Sequence, residues 1–163
     1  MTAITVFNNS PAPSQINTPQ PVVLLSTAMT LAKNRDGSEA VGTSMGLVYV
    51  VGTAGGQLPK LKVRFGSTAG AQATGTTNAT VVRIWANNGV GVNTTPANNI
   101  LLGEVTCAAT LMTETVAIVQ PTDFDFGLLA LPAGYKIYAG LATAIGGTNC
   151  ALAVSMPGGG DYA

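Results

Sequence analysis

The feature that most constrains the fold of this chain is a recurrence of short runs rich in β-branched and aromatic residues. Clusters of Gly, Asn, Thr and Pro separate these runs. They recur every 15 to 20 residues or so, and no apolar repeat of about 3.6 residues persists anywhere. Short, regularly interrupted runs of this kind are typical of a sandwich or a barrel. The sequence therefore predicts an all-β, antiparallel β-sandwich.

Nine segments are predicted to be strands, and their number suits two packed sheets. They are 21–29, 44–52, 60–65, 80–86, 100–107, 113–120, 124–131, 135–143 and 150–156. Residues 46–51 and 116–119 are apolar at every position, as is typical of central strands covered on both faces. Two competing helix assignments remain open, within 26–40 and near 107–112.

The clearest alternation lies in KLKVRF, residues 60–65. Leu61, Val63 and Phe65 share the face that we expect to be buried. The opposite face carries a cationic stripe formed by Lys60, Lys62 and Arg64. The stripe is either a solvated face or a surface that engages an acidic patch on a partner.

The connections between strands carry further predictions. The tetrapeptide 131–134, LPAG, suits a type I turn with Pro132 at its second position, and a hairpin there would join 124–131 to 135–143. The loops 66–78 and 87–99 are long, and long loops tend to be functional or mobile.

The segment before the first predicted strand reads as an extended arm. Residues 8–21 hold four prolines and no apolar periodicity, which favours a polyproline-like conformation. We therefore divide the chain into an N-terminal arm, 1–20, and a single domain, 21–163. The arm is either a flexible leader or a strap that lays Ile4, Val6 and Phe7 against a neighbouring protein.

Composition narrows the classes of partner. Only 9% of the 163 residues are charged, the formal net charge is zero, and mean hydropathy is +0.37. Nucleic acid and anionic membranes attract proteins with a cationic excess, so neither is an expected partner. The most apolar window, 127–147, contains Pro132, Lys136 and several glycines, which argue against a membrane span. No signal peptide is readable at the N-terminus, which predicts synthesis in a cytosol.

The residue inventory argues against an enzyme. The chain has no histidine, so it lacks the commonest general base and metal ligand. Its two cysteines, Cys107 and Cys150, are too few for a structural zinc site and are predicted to be small core residues. No phosphate-binding glycine motif is present. We therefore predict no catalytic, cofactor-binding or metal-binding residue, and no cofactor.

Two constellations keep alternatives open. Asp123 and Asp125 would share one face of a strand, either as a solvated strand edge or as part of a weak calcium site. Trp85, together with Tyr135 and Tyr138, offers either a sugar-stacking surface or, as we favour, packing in the core or at an interface.

The run LPAGYKIYAGLATA, residues 131–144, is unusual because both faces of its strand carry little charge. Lys136, Tyr138, Gly140 and Ala142 would form one of these faces, and the small size of Gly140 and Ala142 permits close approach by another sheet. That face is covered either by a partner, with Tyr138 as a contact, or by the chain itself.

The proline-rich arm, the Thr/Asn/Gly/Ala-rich strands, LPAGYKIYAGLATA and the tail MPGGGDYA together resemble small virion proteins of tailed bacteriophages. In particular, the chain is similar to capsid decoration (cement) proteins with a jelly-roll β-sandwich. This resemblance implies a jelly-roll-like fold and a homotrimer at local three-fold positions of the capsid surface. It implies the major capsid protein as partner, with assembly into the virion after synthesis in the host cytoplasm.

The expected function is therefore that of a non-enzymatic capsid decoration protein that stabilises contacts between capsomers. The alternative is a phage tail-fibre or receptor-binding module that grips glycan through Trp85 or Asp123, with the loops 66–78 and 87–99 at an exposed end.

Overall fold

The structure is a computed structural model that describes residues 23–25, 35, 45–68, 70, 72–89, 96–157 and 160–161. Within these ranges the regular structure is all β apart from a short 3-10 turn, Pro96–Asn98. The strands are β1 (Val23–Leu25), β2 (Gly46–Val50), β3 (Gly56–Ser67), β4 (Gly75–Thr76), β5 (Thr80–Asn87), β6 (Asn99–Cys107), β7 (Leu111–Met112), β8 (Phe124–Leu131), β9 (Lys136–Leu141), β10 (Cys150–Ser155) and β11 (Gly160–Asp161).

The strands form two main antiparallel sheets. In the first, β1, β10 and β3 follow one another, and β8 and β11 flank the first half of β3 on opposite edges. In the second, the order is β2-β9-β5-β6. A small ribbon of β4 and β7 completes the pairing. This architecture confirms the predicted all-β, antiparallel sandwich.

The pairing between strands is nested along the chain. β1 pairs with β10, β2 with β9, β3 with β8, and β5 with β6. Successive pairs fall alternately in the first and the second sheet. The chain thus folds as one long hairpin that turns between β5 and β6 and is rolled so that its arms build both sheets.

One hydrophobic core lies between the two sheets. Leu61, Val63 and Phe65 point into it with 0%, 0% and 8% exposure, as the alternation predicted. The second sheet contributes alternate residues in the same way, including Val82, Ile84, Ala86, Ile137, Ala139 and Leu141. Strands with a side-chain period of two supply one buried face each, and the sandwich joins the two faces.

Most predicted strands match observed ones within a few residues, and 124–131 matches at both ends. The segment 113–120 does not, because after β7 the chain runs irregularly to β8. Val116 and Val119 are 64% and 86% exposed, so the prediction of a doubly covered central strand there is wrong. β2 was also predicted to be central. It is an edge strand, with Leu47 40% and Val50 45% exposed.

The turn after β8 differs from the prediction in position and in role. The Tyr135 N–H donates to the Pro132 carbonyl at 3.4 Å, so the turn lies one residue later than predicted. Gly134 takes the third position with φ +79°, which suits a residue without a Cβ atom. No hairpin forms, because β8 and β9 belong to different sheets. The turn instead carries the chain across the sandwich.

Of the two helix assignments, only the one near 107–112 falls on described residues, and no helix forms there. Residues 107–112 are extended and end in β7. The segment 26–40, the arm 1–20 and residues 90–95 of the loop 87–99 lie outside the described residues, with the exception of Arg35. Of the predicted strand 21–29, the structure describes β1.

Candidate protein-binding groove

An open groove of about 620 Å³ lies beside the second half of β3. It is bounded by the end of β6 and by the irregular segment between β7 and β8. Its lining residues are Phe65, Thr106, Ala108, Ala109, Thr110, Leu111, Ala117, Ile118, Val119, Gln120, Pro121 and Thr122. None of them is charged, and most are apolar. We call this feature the β3 groove.

The groove exists because β8 does not follow β3 along its whole length. Their ladder runs from Gly56↔Leu131 to Leu61↔Phe124, whereas β10 pairs with residues 62–67 on the opposite edge. Among the described residues, 62–67 therefore have a strand on one side only. An unpaired strand edge offers N–H and C=O groups to any other strand that approaches it.

Side chains occupy this edge in place of a strand. The Phe65 N–H donates to Oε1 of Gln120 at 2.7 Å, and the Val63 carbonyl accepts from Nη1 of Arg64 at 2.8 Å. Gln120 thus places an amide carbonyl where a neighbouring strand would place a backbone one. We call residues 62–67 the free edge of β3.

Arg64 also fastens the segment that forms the groove floor. Its Nη1 lies 2.6 Å from Oδ1 of Asp123 and 3.4 Å from the Pro121 carbonyl. Arg64 is therefore engaged within the chain and does not form a continuous cationic stripe with Lys60 and Lys62. A role for these two lysines in partner binding stays a prediction.

Asp125 has a different structural role. Residues 126–128 of β8 lie opposite the single residue Pro59 of β3. This mismatch interrupts the ladder with a bulge in β8. Pro59 has no N–H to give to the ladder, so a bulge opposite it loses no donor. Oδ1 of Asp125 accepts from the Gly127 N–H at 2.7 Å and closes the bulge. In the described ranges, no three residues of the metal-binding types His, Cys, Asp and Glu are grouped.

An exposed apolar rim borders the groove. Leu111 and Val119 line the groove and are 61% and 86% exposed, and Val116, which precedes the lining residue Ala117, is 64% exposed. Groups of exposed apolar side chains on a protein surface mark sites that bind other molecules. Sequence reasoning missed this rim because the apolar run 116–119 has the same pattern as a buried strand.

The outer face of the second sheet carries a small apolar cluster. Trp85, Tyr138 and Met45 pack together at 1%, 4% and 4% exposure, with Leu101 against them. Burial raises the pKa of Tyr138. Tyr138 is therefore buried within the chain, and its role as a partner contact stays a prediction. Trp85 cannot stack on a sugar, and its packing role is the one that the structure shows.

Next to that cluster, Glu104 links two guanidinium groups. Its Oε1 accepts from Nε of Arg35 at 2.8 Å and from Nε of Arg83 at 2.7 Å. The hydrogen bond from Arg35, followed by that from Arg83, lowers the pKa of Glu104. This arrangement holds Arg35 over the outer face of the second sheet.

Both cysteines are buried and free. They lie in the core at the end of β6 and the start of β10, as predicted. Burial raises the pKa of the Cys107 thiol to about 11 and also raises that of Cys150. Thiols of this kind are poor nucleophiles at neutral pH.

The predicted partner-binding residues Ile4, Val6 and Phe7 lie outside the described residues. No helix in the part of the chain that the structure describes is long and apolar enough to span a membrane.

The fold and the groove together define an antiparallel β-sandwich with an uncharged, apolar-rimmed groove beside a free strand edge. Comparisons of the chain with protein-family models, curated protein sequences and solved structures found no match.

Proposed function

We propose that this chain is a non-enzymatic structural protein that attaches to another protein surface through the rim of the β3 groove. The exposed rim carries the proposal, because Leu111, Val116 and Val119 present apolar area that association would bury. The low share of charged residues supports the same reading, since an uncharged contact needs no desolvation of ions.

In line with the resemblance to tailed-phage virion proteins, we propose that the partner surface is the major capsid protein lattice. The chain would then be a capsid decoration protein on the virion surface. We also assign the nested, rolled pairing to the jelly-roll architecture that the resemblance implies, since a jelly roll is a two-sheet sandwich built from Greek-key connections.

A decoration protein needs no reaction chemistry. It stabilises a capsid because it binds the assembled lattice better than free capsomers, and its binding free energy then adds to lattice stability by mass action. Many copies with modest affinity suffice for this effect. The chain has no histidine, and Asp123 and Asp125 are both engaged in structural contacts, which is compatible with this role.

The test is binding to phage heads that lack the protein. Purified wild-type protein is mixed with such heads, and occupancy is measured by co-sedimentation. We expect saturable binding and a higher temperature of head disruption. Val119→Asp should lower the affinity at least tenfold, since a charge would be buried at the contact. Ile100→Asp is the matched control, because Ile100 is 56% exposed but lies outside the groove.

Two outcomes would contradict the proposal. One is an absence of binding to heads by the wild-type protein. The other is labelling of tail tips rather than heads by immunogold, which would favour the receptor-binding alternative.

A further inference from the structure

The free edge of β3 has a defined length, and no strand in the described part of the chain pairs with it. It spans Lys62 to Ser67, six residues that pair with β10 on the other side. The Phe65 N–H donates a hydrogen bond to the side-chain oxygen of Gln120 at 2.7 Å. A backbone carbonyl of an added strand could replace that oxygen at little cost, since both are amide acceptors.

The chain contains a segment that matches this edge. Residues 2–7, TAITVF, precede the described residues and form a six-residue run rich in β-branched and aromatic side chains. Such residues favour strands. Neither this run nor the lining of the β3 groove contains a charged side chain. The charged group at the edge itself is Arg64, whose Nη1 would have to leave the Val63 carbonyl but could keep its ion pair with Asp123.

Geometry permits the segment to reach a second copy of the chain. Val23 pairs with Val154, which pairs with Val63, so β1 starts at the level of the free edge, two strand spacings or about 10 Å away. Residues 8–22 separate TAITVF from β1 and hold four prolines. A polyproline-like segment of that length spans about 45 Å, which is long enough to reach a neighbouring copy.

We propose that residues 2–7 of one copy add as a strand to the free edge of β3 in a second copy and displace Gln120 from the Phe65 N–H and Arg64 from the Val63 carbonyl. β1, which follows the donor segment in the chain, and the acceptor edge of β3 lie at opposite edges of the same sheet, so the contact would be head-to-tail and would close into a ring when the rotation between copies permits. The proposal concerns the purified protein alone and does not depend on capsid binding.

The first test measures mass in solution by light scattering and native mass spectrometry. We expect the wild type to be a closed oligomer. Deletion of residues 2–7, or the double variant Ile4→Asp with Val6→Asp, should give monomers. Ala117→Arg should also give monomers, because it places a charged side chain in the groove at an exposed position. Ala130→Arg, at an exposed position of β8 outside the groove, is the control and should remain oligomeric.

The second test is complementation. The deletion variant keeps a groove but has no donor strand, and Ala117→Arg keeps a donor strand but has no groove. A mixture of the two should form a one-to-one heterodimer, although each alone is monomeric. Circular dichroism and thermal melting establish that each variant is folded. A monomeric wild type, an unchanged mass after deletion, or a mixture without heterodimer would overturn the proposal.

Discussion

Gly103 leaves room between the two sheets for an aromatic ring. Gly103 of β6 lies opposite Ile84, and a Cβ atom at Gly103 would collide with the ring of Phe124 from the first sheet. Phe124 in turn stacks edge-on against Phe126, with ring centroids 5.0 Å apart. The residue type at 103 therefore matters for packing rather than for backbone conformation, since this position does not need a positive φ.

We expect Gly103→Ala to lower the free energy of unfolding by about 1–3 kcal/mol, because the ring of Phe124 must move in a packed core. Urea unfolding followed by tryptophan fluorescence measures the change. Gly66→Ala is the control, since a Cβ atom there meets nothing within 4 Å. The double variant Gly103→Ala with Phe124→Leu should recover part of the loss. An equal effect of both single alanine substitutions would contradict this account.

Leu128 stores backbone strain at the bulge of β8. Its φ is +64° and its side chain is 62% exposed, so it gains little from packing. A left-handed conformation costs an L-residue about 1–2 kcal/mol, and glycine gives back about 0.5–1 kcal/mol through its greater freedom in the unfolded chain. We expect Leu128→Gly to raise the melting temperature by about 1–2 °C.

Leu47→Gly serves as the comparison for Leu128. It removes a similarly exposed leucine from β2, where φ is not positive, and should lower the melting temperature. Calorimetry of both variants gives the two shifts. A decrease for both would show that the side chain of Leu128 contributes more than its strain costs.

At the scale of elements, short-range pattern predicted strands well but predicted their environment poorly. The alternation of Leu61, Val63 and Phe65 is local, so it could be read from the sequence. The pairing of β1 with β10 joins residues more than a hundred positions apart, and no local signal encodes it. Residues 116–119 have the apolar pattern of a core strand. Val116 and Val119 are nevertheless exposed, because this segment precedes β8 and does not pair with β3.

The same limit applies to the candidate site. The bulge opposite Pro59 and the free edge beyond it depend on register, which a sequence pattern leaves open. Asp123 and Asp125 were visible as a pair, but their separate roles depend on Arg64 and on the Gly127 N–H. The sequence indicated Ile4, Val6 and Phe7 as contacts of an extended arm with a neighbouring protein, and their role remains a prediction.

The ion pairs of Glu104 with Arg35 and Arg83 make part of the stability of the fold dependent on pH. Because the pKa of Glu104 is lowered in the folded state, its ion pairs stabilise the fold above the unfolded value of about 4.5. That contribution is lost as the pH falls through the folded pKa. We expect Glu104→Gln to lower stability by about 1 kcal/mol at pH 7 and by less at pH 3, which lies below the unfolded value.

Urea midpoints of wild type and Glu104→Gln at the two pH values test this expectation. Glu114→Gln is the control, because Glu114 is exposed and makes no ion pair within the described ranges. It should change neither midpoint. A difference between wild type and Glu104→Gln that persists unchanged at pH 3 would show that the effect is not due to the charge of Glu104.

At the scale of the whole molecule, the rolled hairpin makes both sheets depend on one core. Cys107 at the end of β6 and Cys150 at the start of β10 are 1% and 3% exposed and belong to the same core cluster. They lie in different sheets. A reagent can therefore reach both thiols only when the sandwich opens. The labelling of the two thiols thus reports whether the two sheets open together.

We expect an aromatic disulfide reagent to label both native thiols at pH 8 together, at a rate at least about a thousandfold below that of an exposed thiol, since global unfolding costs 5 kcal/mol or more. Thr53→Cys supplies an exposed thiol outside the β3 groove in the same chain. The labelling rate of Cys107 and Cys150 should rise with urea with the slope of global unfolding. Fast labelling of one cysteine alone, with the far-UV spectrum unchanged, would show that its sheet opens independently and that the two sheets do not form one cooperative unit.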